Sequence, residues 1–516
     1  MTSWPPSVWW ALPLIVALGY GFLSWLAGRA SHDRGLRRVL LGSYMLRVFL
    51  AVALYAISSW GWPIFQSLRT PNELWRFGLD SLHYHKLGVM ATEVWKKGLL
   101  EVPSAGATGF EYFIIVGMMY WFLGPCPLYP ILLNCLLAAS SGLLAYAISR
   151  TFLARRAALT SAVLVSYWPS SLLWSTQLMK ESLSWFLLFA ALWLLVSAIQ
   201  TNGILPAPHR QRWGVRYILL GGAVVLMKRL RPYLGAALLL TTLVIFVPLA
   251  VKAFLRRQMS HVARYAVLLL VVVFSTLSAQ MPAMSNFLSK LGSSLHSATP
   301  RQPSPAVAPV APSLGDATLE QRKGTELVQE HGSKLVDQIV SQMTAQAHSF
   351  VSALSPGSLE GMRQGYVFGG GNAVIDAKAH LSNPRALITY LPRALVIGVL
   401  APFPRQWFHP WQSAGAASPL VGIEMCLIYL LLPVIVCGLW DAVRWRRTEG
   451  ILIITFVCLL GCFLSLVVAN LGTLFRLRLL FLLPLLIIAA EGDPIGVYRR
   501  MWVWVMKMMD QQDAGS

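Results

Sequence analysis

The sequence predicts an all-α, polytopic membrane protein with about 11 crossings, and three observations lead to it. Hydrophobic residues make up 56% of the 516 positions and charged residues only 12%. A soluble chain would carry roughly a quarter charged residues, and the mean hydropathy here is +0.59. Apolar stretches of about 20 residues, the length that crosses a hydrocarbon core, recur along the chain. Arginine-rich clusters punctuate them in an alternating pattern, as orientation by positive cytoplasmic loops requires.

Taken in order, a first helix over 8–27 is followed by GRASHDRGLRR, with Arg29, Arg34, Arg37 and Arg38. That loop reads as cytoplasmic, which puts the N-terminus outside. A second helix over 39–62 returns outward, so the loop 63–126 is external. Helices over 127–149, 157–175, 183–199, 214–228, 233–252, 264–281, 417–440, 450–470 and 478–492 complete the set. The basic clusters 150-RTFLARR-156, 209-HRQRWGVR-216, 252-KAFLRR-257 and 444-RWRR-447 keep the same phase, with the tail YRRMWVWVMK inside. The short apolar segment 110-FEYFIIVGMMYWFLG-124 is expected to be half-inserted or to lie on the surface. Four parts follow: 1–38, an extra N-terminal helix with its basic loop; 39–281, a transmembrane module; 282–416, one long external excursion; and 417–516, the C-terminal helices and tail. Within the excursion, 299-TPRQPSPAVAPVAPS-313 reads as a linker that cannot pack a core. Residues 324–347 carry an amphipathic helical period, and the Pro-interrupted 387–404 is expected to lie along the interface.

Charge narrows the function classes. Forty-two basic residues stand against 21 acidic ones, a net +21. No soluble domain is available to present a basic face, so nucleic acid is not an expected partner; orientation and membrane lipid account for most of the excess. The six cysteines lie in or beside apolar runs, and Cys458 and Cys462 have no histidine or acid beside them, so zinc is not expected. MTSWPPSVWWALPLIV lacks a basic start and a cleavage site and reads as a retained helix. GxxxxGK[ST] is absent, and Gly369-Gly370-Gly371-Asn372 follows no βα unit, so energy is expected from a donor or a gradient.

Charges at the outer ends of apolar helices are informative, because neither insertion nor orientation asks for them. In 77-FGLDSLHYHKLGVMATEVWKKG-98, together with Glu73, the spacing puts Asp80, His83 and Tyr84 on one helical face. A carboxylate there suits a general base, and His83 and His85 suit substrate contacts; the plain alternative is a solvated amphipathic helix. Lys180 and Glu181 in 174-WSTQLMKES-182 either punctuate a turn or add a second acid. Lys228, Arg229 and Arg231 in 227-MKRLRPY-233 oppose the orientation rule and suit a phosphate group or an anionic headgroup. Arg476 and Arg478 in 470-NLGTLFRLRLLFLLP-484 repeat the pattern, and their i, i+2 spacing points one of them away. The expected site therefore has carboxylates on one wall and cations on another, open to the outside.

With these motifs the chain resembles the GT-C superfamily of integral-membrane glycosyltransferases, most of all the branch of protein O-mannosyltransferases and lipid A aminoarabinose transferases. The carrying segments are 77-FGLDSLHYH-85, then 119-MYWFLG-124 with 127-PLYPILLNCLLAASSGLLAYAISRTFLARR-156, then Pro169 ahead of Glu181, and 470–484 as a closing helix. Glu181 stands where that family more often has aspartate, and the compact outer domain of some relatives has no counterpart here. The resemblance implies catalysis by the 39–281 module and a polyprenyl-phosphate-linked sugar as donor. It implies Asp80 as base, the outer cations on the phosphate, an inverting displacement, and a protein, lipid or polysaccharide acceptor. The expected location is a bacterial inner membrane, with the site external by the phase of the basic loops. Some relatives use a divalent metal, for which Asp80 and His83 are the available ligands. Two other readings stand beside it: an O-antigen-type polymerase or ligase using Arg363, His380 and Arg393, and a lipid-linked-sugar transporter or flippase.

Overall fold

A computed structural model describes residues 6–70, 74–98, 111–200, 213–277, 355–369, 373–407 and 418–492, with isolated positions beyond them. Glu73, 299–313, 324–347, 370–372 and nearly all of the tail lie outside the described residues. The chain divides into two compact units: 1–93 with 103–276 and 356–516, and 94–102 with 277–355. The helix bundle and the candidate site belong to the first.

All regular structure among the described residues is helical, and the protein is a multi-pass membrane protein. Eight of its described helices are long and apolar enough to cross a membrane, nine if one bent pair counts as a single crossing. The first two are α1 (Pro6–Ala30) and α2 (Arg34–Trp60). Asp33 starts α2: its backbone is extended and its carboxylate accepts the Gly35 N–H at 2.8 Å. Gly61, at φ +73, ends the helix in the left-handed conformation open to glycine. The loop beyond carries α3 (Leu79–Lys96) and α4 (Tyr112–Leu123). At 12 residues α4 is about 18 Å long, too short to cross.

The central α5 (Leu128–Ser149) packs against α2, α6 (Arg155–Tyr167) and α8 (Glu181–Ile199). Gly142 permits the α5–α6 approach, since a Cβ there would meet Ser166 Oγ at 2.0 Å. The helix expected over 157–175 is in fact two, α6 and α7 (Pro169–Ser175). Pro169 has no N–H to continue α6 and forces Trp168 into extended backbone, at ψ 127. Two buried charges satisfy the break. Arg47 donates to the Ser166 carbonyl at 2.8 Å and to the Ser171 and Ser175 hydroxyls at 3.0 and 3.1 Å. Glu424 accepts from Trp168 Nε1 at 2.9 Å and from the backbone and hydroxyl of Ser170 at 2.7 and 2.8 Å.

Next come α9 (Trp213–Leu230), α10 (Pro232–Leu255) and α11 (Met259–Leu277). With three charges in 18 residues, α9 falls outside the crossing set. Arg231 is extended because Pro232 follows it, so 227-MKRLRPY-233 is the turn of an antiparallel pair. The described part of the long excursion holds α12 (Pro356–Phe368) and α13 (Pro384–Leu400). α13 lies against α15 (Thr448–Val467), with Gly398 seated on Ser465. α14 (Ser418–Arg444) precedes α15, and α16 (Leu471–Leu477) and α17 (Leu479–Glu491) meet at a 47° bend. Residues Leu479 to Ala490 are buried throughout, so α17 is a core helix.

Candidate active site

Four helix ends meet at one end of this bundle. Asp80 lies in the first turn of α3, Glu181 opens α8, Arg231 joins α9 to α10, and Arg476 lies in the last turn of α16. Arg231 Nη2 donates to Glu181 Oε1 at 2.6 Å. Arg476 Nη1 donates to Asp80 Oδ2 at 2.7 Å, across 396 residues of sequence. The Nε of Arg476 also stands 3.2 Å from Glu181 Oε1, so one guanidinium is shared by both acids. The side chains of Glu181 and Arg231 are 3% and 6% exposed, Arg476 20% and Asp80 41%, so the network opens at Asp80.

Its surroundings are aromatic and polar. Arg231 Nη1 donates to Tyr233 OH at 2.7 Å, and Lys180 Nζ donates to the Leu230 carbonyl at 2.9 Å. Tyr84, one turn beyond Asp80, is buried and meets Tyr112 edge-on at 5.2 Å. Tyr112 donates to Asn134, whose amide holds the Gln177 and Met179 carbonyls at 2.9 and 2.8 Å just ahead of Lys180. Buried Oε2 of Glu181 has no hydrogen-bond partner among the described residues. Burial, then the neighbouring Arg231 charge, brings the Lys180 ammonium down to about 8. Burial first, then Glu181 and Asp80, pushes the Tyr84 phenol well above its ordinary value. Burial works against the Arg231 charge, but Tyr233 and Glu181 more than offset it and keep it protonated.

The expected residues do not all meet. Acids and cations interleave rather than facing each other across two walls. Arg478 turns away from Arg476: its Nε donates to the Gly398 carbonyl at 2.9 Å, Nη1 reaches Met425 Sδ at 3.0 Å, and Nη2 bonds the Ala401 carbonyl. Lys228 donates to the Thr276 carbonyl of α11, and Arg229 stands 4.0 Å from Glu111. Both precede the break at Arg231, so helical geometry sends them elsewhere. His85 Nδ1 pairs with Tyr120 OH at 2.9 Å, and His83 is exposed on α3. Among the described residues no group of three or more His, Cys, Asp or Glu side chains is arranged to hold a metal ion.

Arg363, His380 and Arg393 lie on the excursion helices and their linker. Buried Arg363 donates to the carbonyls of Leu466 at 2.9 Å and Asp376 at 2.9 Å and stacks over Tyr390. Arg393 pairs with Asp376 at 2.5 Å and His380 with Glu360 at 3.3 Å. These contacts hold α12, α13 and the strand-like pairing of Val374 with Asn470 together. Tyr84 was expected on the Asp80 face but given no role there, Tyr233 was not expected at the site, and Glu424 was not expected to support the α6–α7 break. Tyr84 shares the Asp80 face at i+4, Tyr233 follows Arg231 by two, and Glu424 is a lone acid in an apolar helix.

No known protein family and no curated protein matches this chain.

Proposed function

We propose that this protein is a membrane glycosyltransferase that moves a sugar from a polyprenyl-phosphate carrier to an acceptor hydroxyl or amine. The observation that carries this reading is the arginine shared between Asp80 and Glu181 beside the buried Glu181–Arg231 pair. Two carboxylates and two guanidinia balance in charge, and the Lys180 ammonium beside them leaves one positive charge for an anion. A phosphate on Arg476 competes with Asp80 for the same donors, because guanidinium binds phosphate oxygens as it binds carboxylate. Donor binding thereby frees the more exposed acid beside the sugar.

In the transfer step the acceptor heteroatom attacks the anomeric carbon opposite the phosphate. The bond from that carbon to the phosphate oxygen breaks with its electron pair, and the acceptor proton passes to Asp80. Products are the inverted glycoside and polyprenyl phosphate, whose charge Arg476, Arg231 and protonated Lys180 stabilise. Glu181 anchors both arginines, and its unpaired oxygen is available to a sugar hydroxyl. Any metal required by the reaction would draw on Asp80 and His83, in competition with Arg476.

The arrangement in the membrane belongs to this proposal. Counting α6 with α7, α9, and α16 with α17 as crossings supports about 11, and the basic loops support an external N-terminus. The network then faces the extracytoplasmic side of a bacterial inner membrane. The test is transfer in proteoliposomes containing full-length chain and polyprenyl-phosphate-linked sugars, read by mass spectrometry of the lipid-linked and transferred pools. Wild type should deplete the lipid-linked sugar and release polyprenyl phosphate, and Asp80→Asn should lower the rate about 10²–10⁴-fold. Near-normal transfer by Asp80→Asn would remove the base assignment. Movement of intact lipid-linked sugar between leaflets without glycoside formation would establish a flippase instead.

A further inference from the structure

We infer a second ligand site at the opposite end of the bundle, a groove between α1 and α2 that binds an anionic phospholipid by headgroup and chain together. This inference is independent of the glycosyltransferase reading. The groove has a volume of about 570 Å³ and is lined by Tyr20, Arg34, Arg37, Arg38, Leu41, Gly42 and Met45. It lies at the end of α2 that meets α6, where Arg155 pairs with Asp33 at 2.7 Å. The end of α8 is there too, with Gln200 donating to the Thr151 carbonyl at 2.5 Å. Glu181 and its network are at the other end of α8, about 28 Å away along the helix.

Residues 34, 37, 38, 41 and 45 fall on one face of α2, because positions three and four apart are neighbours. Along that face the chemistry changes with depth. Three exposed arginines occupy the first five residues, with Leu41 and Met45 below them. Tyr20 lies ten residues inside the end of α1, about 15 Å down the groove. Such a groove is cationic at its mouth and apolar below. Free phosphate would use only its mouth, whereas a phospholipid satisfies both parts. Orientation alone does not account for it: the rule asks for a count of positive charge, not for its convergence on a groove. On the same side Arg155 is bound to Asp33 and Arg447 to Glu491, whereas Arg34, Arg37 and Arg38 form no ion pair among the described residues. A cytoplasmic-leaflet lipid of negative charge is the complementary occupant.

The test is native mass spectrometry of delipidated, full-length protein in detergent, titrated with phosphatidylglycerol, phosphatidylcholine or inorganic phosphate. Wild type should hold phosphatidylglycerol about tenfold tighter than phosphatidylcholine, and inorganic phosphate should not displace it. Replacing Arg34, Arg37 and Arg38 together by Gln should abolish the preference. Replacing them by Lys keeps the charge count, guarding against altered insertion, and should weaken binding several-fold by removing the bidentate fork. Met45→Trp, which fills the apolar part and leaves every charge, should weaken phosphatidylglycerol about tenfold. Equal retention of the two lipids would overturn the inference. Displacement by inorganic phosphate would reduce the groove to an anion site, and an unaffected Met45→Trp would reduce it to headgroup attraction; either result also overturns it.

Discussion

Asp80 and Glu181 carry the same functional group in different surroundings, and their variants should separate accordingly. The Asp80 side chain is 41% exposed, and an ion pair of that exposure contributes about 0–1 kcal/mol. Asp80→Asn should therefore leave thermal stability nearly unchanged while removing transfer. Glu181 and Arg231 are both buried, and removing Arg231 leaves Glu181 only the guanidinium it shares with Asp80. Arg231→Ala is expected to cost about 3–5 kcal/mol, measured as a lowered unfolding midpoint in detergent. A small loss there would mean that water reaches the pair. Lys180 gives the site a pH dependence. Its ammonium titrates near 8, so it is charged below that pH and neutral above. Donor affinity should fall as pH rises through about 8, and Lys180→Arg, which stays charged, should abolish that limb. Superimposable profiles for the two proteins would exclude Lys180 from phosphate binding.

At the scale of elements, two junctions position the site. The α6–α7 break lets Pro169 redirect the chain toward Lys180 and Glu181, and Glu424 satisfies the break from α14. Glu424→Leu leaves three donors of Trp168 and Ser170 without their acceptor. At about 1–3 kcal/mol for each stranded buried group, it should lower stability well beyond a surface change and reduce transfer indirectly. A variant of ordinary stability would show that other groups satisfy the break. The second junction ties α2 to α6. Arg155 donates to both Asp33 oxygens, and that hydrogen bond above all holds the Asp33 carboxyl down at about 2. A depressed folded value means the contribution is complete above the ordinary value of 3.8 and is lost as pH falls toward 2. Acid unfolding of wild type should steepen in that window, and Asp33→Ala should lack the feature.

At the scale of the whole molecule, the helical membrane class was readable from hydropathy alone, because crossing lipid demands long apolar runs whatever they pack against. Asp80, Glu181, Arg231 and Arg476 stood out for the opposite reason: each is a charge beside an apolar run that neither insertion nor the positive-loop pattern requires. Their pairing was not readable, because it joins segments hundreds of residues apart. Nor was the outward turn of Lys228, Arg229 and Arg478, since which side of a helix faces the site depends on its neighbours. Eight described helices meet the length and hydropathy of a crossing against the about 11 expected, because Pro169 splits one run, three charges lie on α9 and a bend divides α16 from α17. Glu424 shows a signal passed over, a single acid in an apolar helix. Orientation has its own test, labelling of His83→Cys by a membrane-impermeant thiol reagent in a chain otherwise free of cysteine. Labelling of intact cells is expected, and labelling only after lysis would invert the topology.

On the proposed mechanism, Asp80 and the donor phosphate compete for Arg476. Binding of polyprenyl phosphate to the purified protein measures that competition directly. Asp80→Asn should tighten binding, because the arginine loses its resting partner, and Arg476→Gln should weaken it about tenfold or more. Binding that is weakened or unchanged by Asp80→Asn would contradict the account.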